Sequence, residues 1–114
     1  MRTRVHVVAP LALVLLLPVF GAERTAQENY KKHCVECHGS DGRSQTRLGR
    51  KSGAKDLSSP ENQAKLTDED AFNGIKNGRK NSKGEEKMEA FGHLLSDHEI
   101  KELVAYVRTF AKQK

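Results

Sequence analysis

The chain has 114 residues, 20 of them basic and 15 acidic, for a formal charge of +5; it has no tryptophan and two cysteines. That length holds one domain, and two cysteines cannot build a disulfide scaffold. The mild basicity comes without a basic helix interleaved with aromatics, which argues against a nucleic-acid partner.

The first 22 residues differ from the rest. Arg2 and Arg4 open the chain, an apolar run follows from Val5 to Phe20, and the small residues Gly21 and Ala22 precede Glu23. A charged start, a short apolar stretch and a small-residue end mark residues 1–22 as a secretory signal peptide. Cleavage there leaves a domain over 23–114 with a formal charge of +3. The alternative is an uncleaved anchor. Residues 5–22 number 18, the short limit for a membrane span, and they include Pro10 and Pro18. No span is expected in the mature form.

The mature part has five aromatics, Tyr30, Phe72, Phe91, Tyr106 and Phe110. So thin a core needs a staple, and one loop closed between neighbouring cysteines constrains almost nothing.

Thr25-Ala-Gln-Glu28 predicts a capping box. The helix it opens sets Tyr30, His33, Cys34 and Cys37 close to one face, and Gly39 and Gly42 stop it. Residues 39–60 show no sustained apolar period and carry turn residues throughout, so a long loop is expected. A loop of that length needs a function, and wrapping a flat cofactor is one. Thr67 opens a helix with Asp68, Glu69 and Asp70 in its first turn and an apolar side of Phe72 and Ile75; Gly74 and Gly78 weaken and end it. A polar loop from Arg79 to Lys87 leads to Met88.

The last helix gives the clearest signal. Ser96-Asp-His-Glu99 is a second capping box, Leu95 and Ile100 suit a hydrophobic staple, and Ile100, Leu103, Val104, Val107 and Phe110 form a stripe. No segment alternates as a strand does. The fold class expected is all-α.

Cys34-Val35-Glu36-Cys37-His38 carries the chemistry. C-x-x-C-H is the attachment pattern of a c-type haem. Two thiols at i and i+3 can reach two vinyl groups on one porphyrin edge, and His38 can then ligate the iron. A thioredoxin-like site expects a βαβ surrounding, and structural zinc expects four ligands. Neither is present. An inert disulfide leaves both His38 and the thin core without a role.

On these residues the chain resembles the class I c-type cytochromes of the small, single-haem bacterial kind. The resemblance runs through the Tyr30 helix, Cys34 to Gly39, Lys55-Asp56-Leu57, Ile75 to Gly78, Met88 to Phe91 and Leu95 to Phe110. It implies a small haem-enclosing helical bundle with long loops. First and last helices cross in it, bringing Ala26 and Tyr30 to the Leu103–Val107 face. It also implies one covalently bound haem c, held by Cys34, Cys37 and His38, with a distal methionine in a late loop. Met88 is the one methionine outside the leader, and Glu89 follows it where the family commonly has proline. His93 is the other candidate, which would give a bis-histidine haem. His33 is tied to the proximal helix, and His98 falls in the first turn of the last helix.

His/Met ligation fills both axial positions and raises the reduction potential. The expected function is that of a periplasmic single-electron carrier, not an enzyme, passing electrons between respiratory donors and an oxidase or reductase. The alternatives are a five-coordinate haem sensor of gases or peroxidase, kept open by Glu89, and a haem subunit of a larger dehydrogenase. Two basic segments, Arg43 to Lys55 and Lys76 to Lys87, suggest transient docking to acidic redox partners by a monomer.

Overall fold

A computed structural model describes residues 2–17 and 23–112. Residues 2–17 carry no helix, and the leader's end at residues 18–22 lies outside the described residues. No described helix is long and apolar enough to cross a membrane.

Both capping boxes form. Thr25 Oγ1 accepts from the Glu28 amide, while Glu28 returns a carboxylate oxygen to the Thr25 amide at 2.8 Å. Helix α1 follows as Ala26–His33. The first helix does not run on through the motif as one piece: it ends at Cys34, whose backbone (φ −116°) divides it from α2, Val35–His38. The loop expected over 39–60 holds one short helix, and a second starts at its last residue. Thr46 caps α3, Arg47–Ser52, and Ser59 caps α4, Pro60–Lys65, with proline in its first turn. Each has six residues, fewer than two turns, so neither can show a helical period in sequence.

Helix α5, Asp68–Asn77, is capped by Thr67 and has three carboxylates in its first turn, where the helix dipole favours them. The polar loop after it is a small antiparallel hairpin, β1 (Arg79–Lys80) with β2 (Glu86–Met88). That corrects the expectation of no strand. Two- and three-residue strands are too short for alternation to register, and the fold class remains all-α. Helix α6, Asp97–Arg108, runs into a 3-10 turn over Thr109–Lys112.

The core lies where α1 and α5 pack on α6. Ile100, Leu103, Val104, Val107 and Phe110 are buried, as their stripe predicts, and Leu95 is buried with Ile100 at the staple. Tyr30 meets Tyr106 and Phe110 at ring-centroid distances of 5.3 and 5.0 Å, an aromatic cluster that links the first and last helices. Arg108 fastens α4 and the α4–α5 junction to α6. Its guanidinium donates to Asp68 Oδ1, to the Gln63 side chain, and to the Gln63 and Leu66 carbonyls.

Candidate haem site

A cavity of about 680 Å³ opens between these elements, within the roughly 300–1,000 Å³ range of sites that enclose an organic ligand. Leu57, Leu66, Ala71, Ile75, Phe91, Leu103, Val104 and Val107 line it, and so do Cys34, Cys37, His38 and Met88. The fold thus draws the motif and the distant methionine to one apolar chamber.

Helix α2 presents the motif. Cys34 and Cys37 are free thiols. Burial pushes the Cys34 thiol up to about 12, with Cys37 adding to the rise, and burial followed by Glu36 raises Cys37. Both side chains are therefore neutral thiols at neutral pH and together in the cavity. The His38 ring is largely sequestered, and burial lowers its pKa while the Lys55 carbonyl opposes that shift. A neutral imidazole results, the form that can ligate a metal.

The His38 tautomer follows from its neighbours. The Ser44 hydroxyl donates to the Lys55 carbonyl at 2.6 Å, leaving its oxygen to accept from His38 Nδ1–H at 3.2 Å. Nε2 then keeps its lone pair for a metal, with its partner nitrogen oriented by hydrogen bonding. Ser44 is buried and, unusually for a residue other than glycine, has a positive φ of 59°. Nothing in its sequence surroundings marks it for this place.

Helix α3 closes on the motif from outside. Thr46 Oγ1 donates to the Cys37 carbonyl at 2.7 Å. A Cβ at Gly49 would fall 2.3 Å from that same carbonyl oxygen, so only glycine permits the approach.

The histidines separate clearly. His33 lines the cavity beside Cys34 and packs against Phe91 at 5.5 Å. His93 is exposed and does not line the cavity. His98 is exposed, 3.8 Å from Glu23. Met88, at the end of β2, is half-buried and packs against the core.

Two thiols, a neutral imidazole and a thioether around an apolar, part-open chamber fit a flat iron-porphyrin well. The thiols could attach such a group, and the imidazole and thioether could hold its metal. A helical domain built this way is a small c-type cytochrome.

The comparisons with known proteins agree. The family described as cytochrome c oxidase, cbb3-type, subunit III matches residues 21–107. Among solved structures, the KustC0563 c-type cytochrome shares 37% identity at a TM-score of 0.68, covering 76% of this chain and 98% of its own. A tyrosine-to-phenylalanine variant of Kustc0563 gives 36% identity and a TM-score of 0.67, covering 76% and 99%. No curated protein sequence matches. The chain belongs to this family of c-type cytochrome domains, which bind haem covalently and transfer electrons through it.

Proposed function

We propose that the protein is an exported, single-haem electron carrier. Cys34 and Cys37 form the thioether links, and His38 and Met88 are the axial ligands. The observation that carries this reading is that Met88 shares the cavity with the motif while His93 does not. Haem bound there supplies a one-electron iron couple. The residues around it set its properties: Ser44 orients His38, Met88 contributes a soft sulfur that favours the reduced metal, and the apolar walls limit water. With both axial positions filled no site is left for a substrate, which suits a carrier rather than an enzyme. The charged leader, its apolar run and the start of the family match at residue 21 support export to the periplasm.

Docking is assigned to one of the two basic segments. Between residues 41 and 55, Arg43, Arg47, Arg50, Lys51 and Lys55 accompany a single carboxylate, Asp41. The later segment is interleaved with Glu85, Glu86 and Glu89, and its Lys87 and Lys76 pair with Glu85 and Asp97. Arg43 pairs with Asp41 at 3.9 Å, while Arg47, Arg50 and Lys51 stand together on α3, a helix without a carboxylate, and α3 abuts Cys37. Acidic redox partners dock there transiently, steered by charge.

Spectroscopy of the haem-loaded protein tests the ligand set. The ferric form shows a sulfur-to-iron charge-transfer band, and the ferrous form does not bind carbon monoxide at neutral pH. Met88→Ala abolishes the band and lowers the potential with haem still attached; His93→Ala changes neither. A band untouched by Met88→Ala removes Met88 from the role, and ready carbon monoxide binding by the unaltered protein would favour a five-coordinate gas-binding haem instead.

A further inference from the structure

Met88 sits at the end of a hairpin that cannot hold itself together. Its strands have two and three residues with an irregular register, and an isolated two-stranded hairpin is marginal at best. Met88 packs on the core, and beyond β2 the Phe91 and Gly92 amides donate to the Ile75 and Lys76 carbonyls of α5 at 2.8 and 3.0 Å; within the hairpin itself, Arg79 is placed to add a tie. It pairs across the hairpin with Met88 and is tied in turn to α5, where its Nη2 donates to the Asp70 carbonyl at 2.8 Å.

The seat for that guanidinium is built into the helix. A Cβ at Gly74 would lie 2.5 Å from Arg79 Nη2, 2.6 Å from Nε and 2.7 Å from Cζ. Any other residue at 74 would occupy the space the guanidinium fills. Glycine inside a helix is disfavoured relative to alanine; here it admits the arginine.

We propose that Arg79, seated on Gly74, is a positioning residue that clips the hairpin to α5 and so holds the Met88 thioether at the cavity. The proposal rests on the reading of Met88 as an axial ligand. Two variants remove the clip by different routes. Arg79→Ala deletes the side chain. Gly74→Ala keeps the charge and favours the helix, and the three atoms nearest its new Cβ all belong to the flexible end of Arg79.

The test uses the full haem-loaded protein, with helix content checked by circular dichroism and two readouts: the ferric sulfur-to-iron band and carbon monoxide binding to the ferrous form. Both variants are expected to weaken the band. If the methionine-free fraction rises tenfold, apparent carbon monoxide affinity rises roughly tenfold as well. Glu89→Pro, which restricts Met88 to the extended backbone it already has in β2, is expected to restore the band when added to Arg79→Ala.

An unchanged band and unchanged carbon monoxide affinity in both variants overturn the proposal. A band lost in Arg79→Ala but intact in Gly74→Ala overturns it too, since the arginine would then act by charge and not by its seat. If Arg79→Ala does not fold, Gly74→Ala decides alone. Absence of the band from the unaltered protein is a separate result, which removes Met88 as ligand and the clip with it.

Discussion

The two walls of the cavity are held in different ways. On the motif side, the Thr46 bond to the Cys37 carbonyl, the glycine-notched contact with α3 and the His38–Ser44–Lys55 chain tie residues 37–55 together through short side chains. On the Met88 side, Arg79 ties a short hairpin to α5, and just beyond β2 the Phe91 and Gly92 amides donate to the Ile75 and Lys76 carbonyls of the same helix. One wall is fixed all around the motif, and the other is tied to α5 at a few points. In a carrier that must attach its cofactor permanently, the attachment side is the one to make rigid. The ligand side can be tuned by exchangeable surface contacts.

The largest expected effect tests whether the rigid wall stands without haem. Ligand binding to the folded state alone adds about 4 kcal/mol at a thousand times its dissociation constant, close to the whole stability of a small domain. Cys34→Ser with Cys37→Ser should therefore leave a largely unfolded chain by circular dichroism. A cooperative thermal transition at normal helix content would show that the protein core is sufficient without haem.

Next comes the packing both walls lean on. Leu103 is 1% exposed and lines the cavity, and Leu103→Ala should cost about 2–5 kcal/mol, read as a lowered denaturation midpoint of the haem-loaded protein.

Ser44→Ala sharpens the contrast on the motif side. It removes the acceptor for His38 and the donor to Lys55, which should cost about 1–3 kcal/mol and shift the reduction potential while the methionine band stays intact. A loss of that band would mean that the two walls are coupled.

The smallest effect concerns the outer face of α3. Arg47→Glu with Arg50→Glu should slow association with an acidic redox protein by roughly tenfold at low salt, and the difference should fade as ionic strength rises. Stopped-flow rates with no salt dependence would remove α3 from docking.

The same contrast explains what could be read in the sequence. Cys34, Cys37 and His38 are legible because attachment needs a fixed local spacing. Helix α6 is legible because its 12 residues complete a stripe behind a capping box. Met88 stands out by scarcity, as the one methionine outside the leader, and the fold brings it to the motif's cavity. By contrast α3 and α4 are too short to carry a period, and Ser44 reaches His38 only because the chain turns back through a positive φ. Arg79 looks like one more surface charge until the fold lays it over Gly74, and Gly74 alone reads as a helix weakener. Seats of this kind form where the chain turns back on itself after a few residues, outside any helical or strand period.

A covalently attached haem is what would complete this thin interior. Mass spectrometry of the denatured protein, expressed with its leader, decides this. The expected mass is that of the polypeptide plus one haem, reverting to the bare polypeptide in the Cys34→Ser, Cys37→Ser chain. A bare mass from a preparation that is folded and helical would contradict the account.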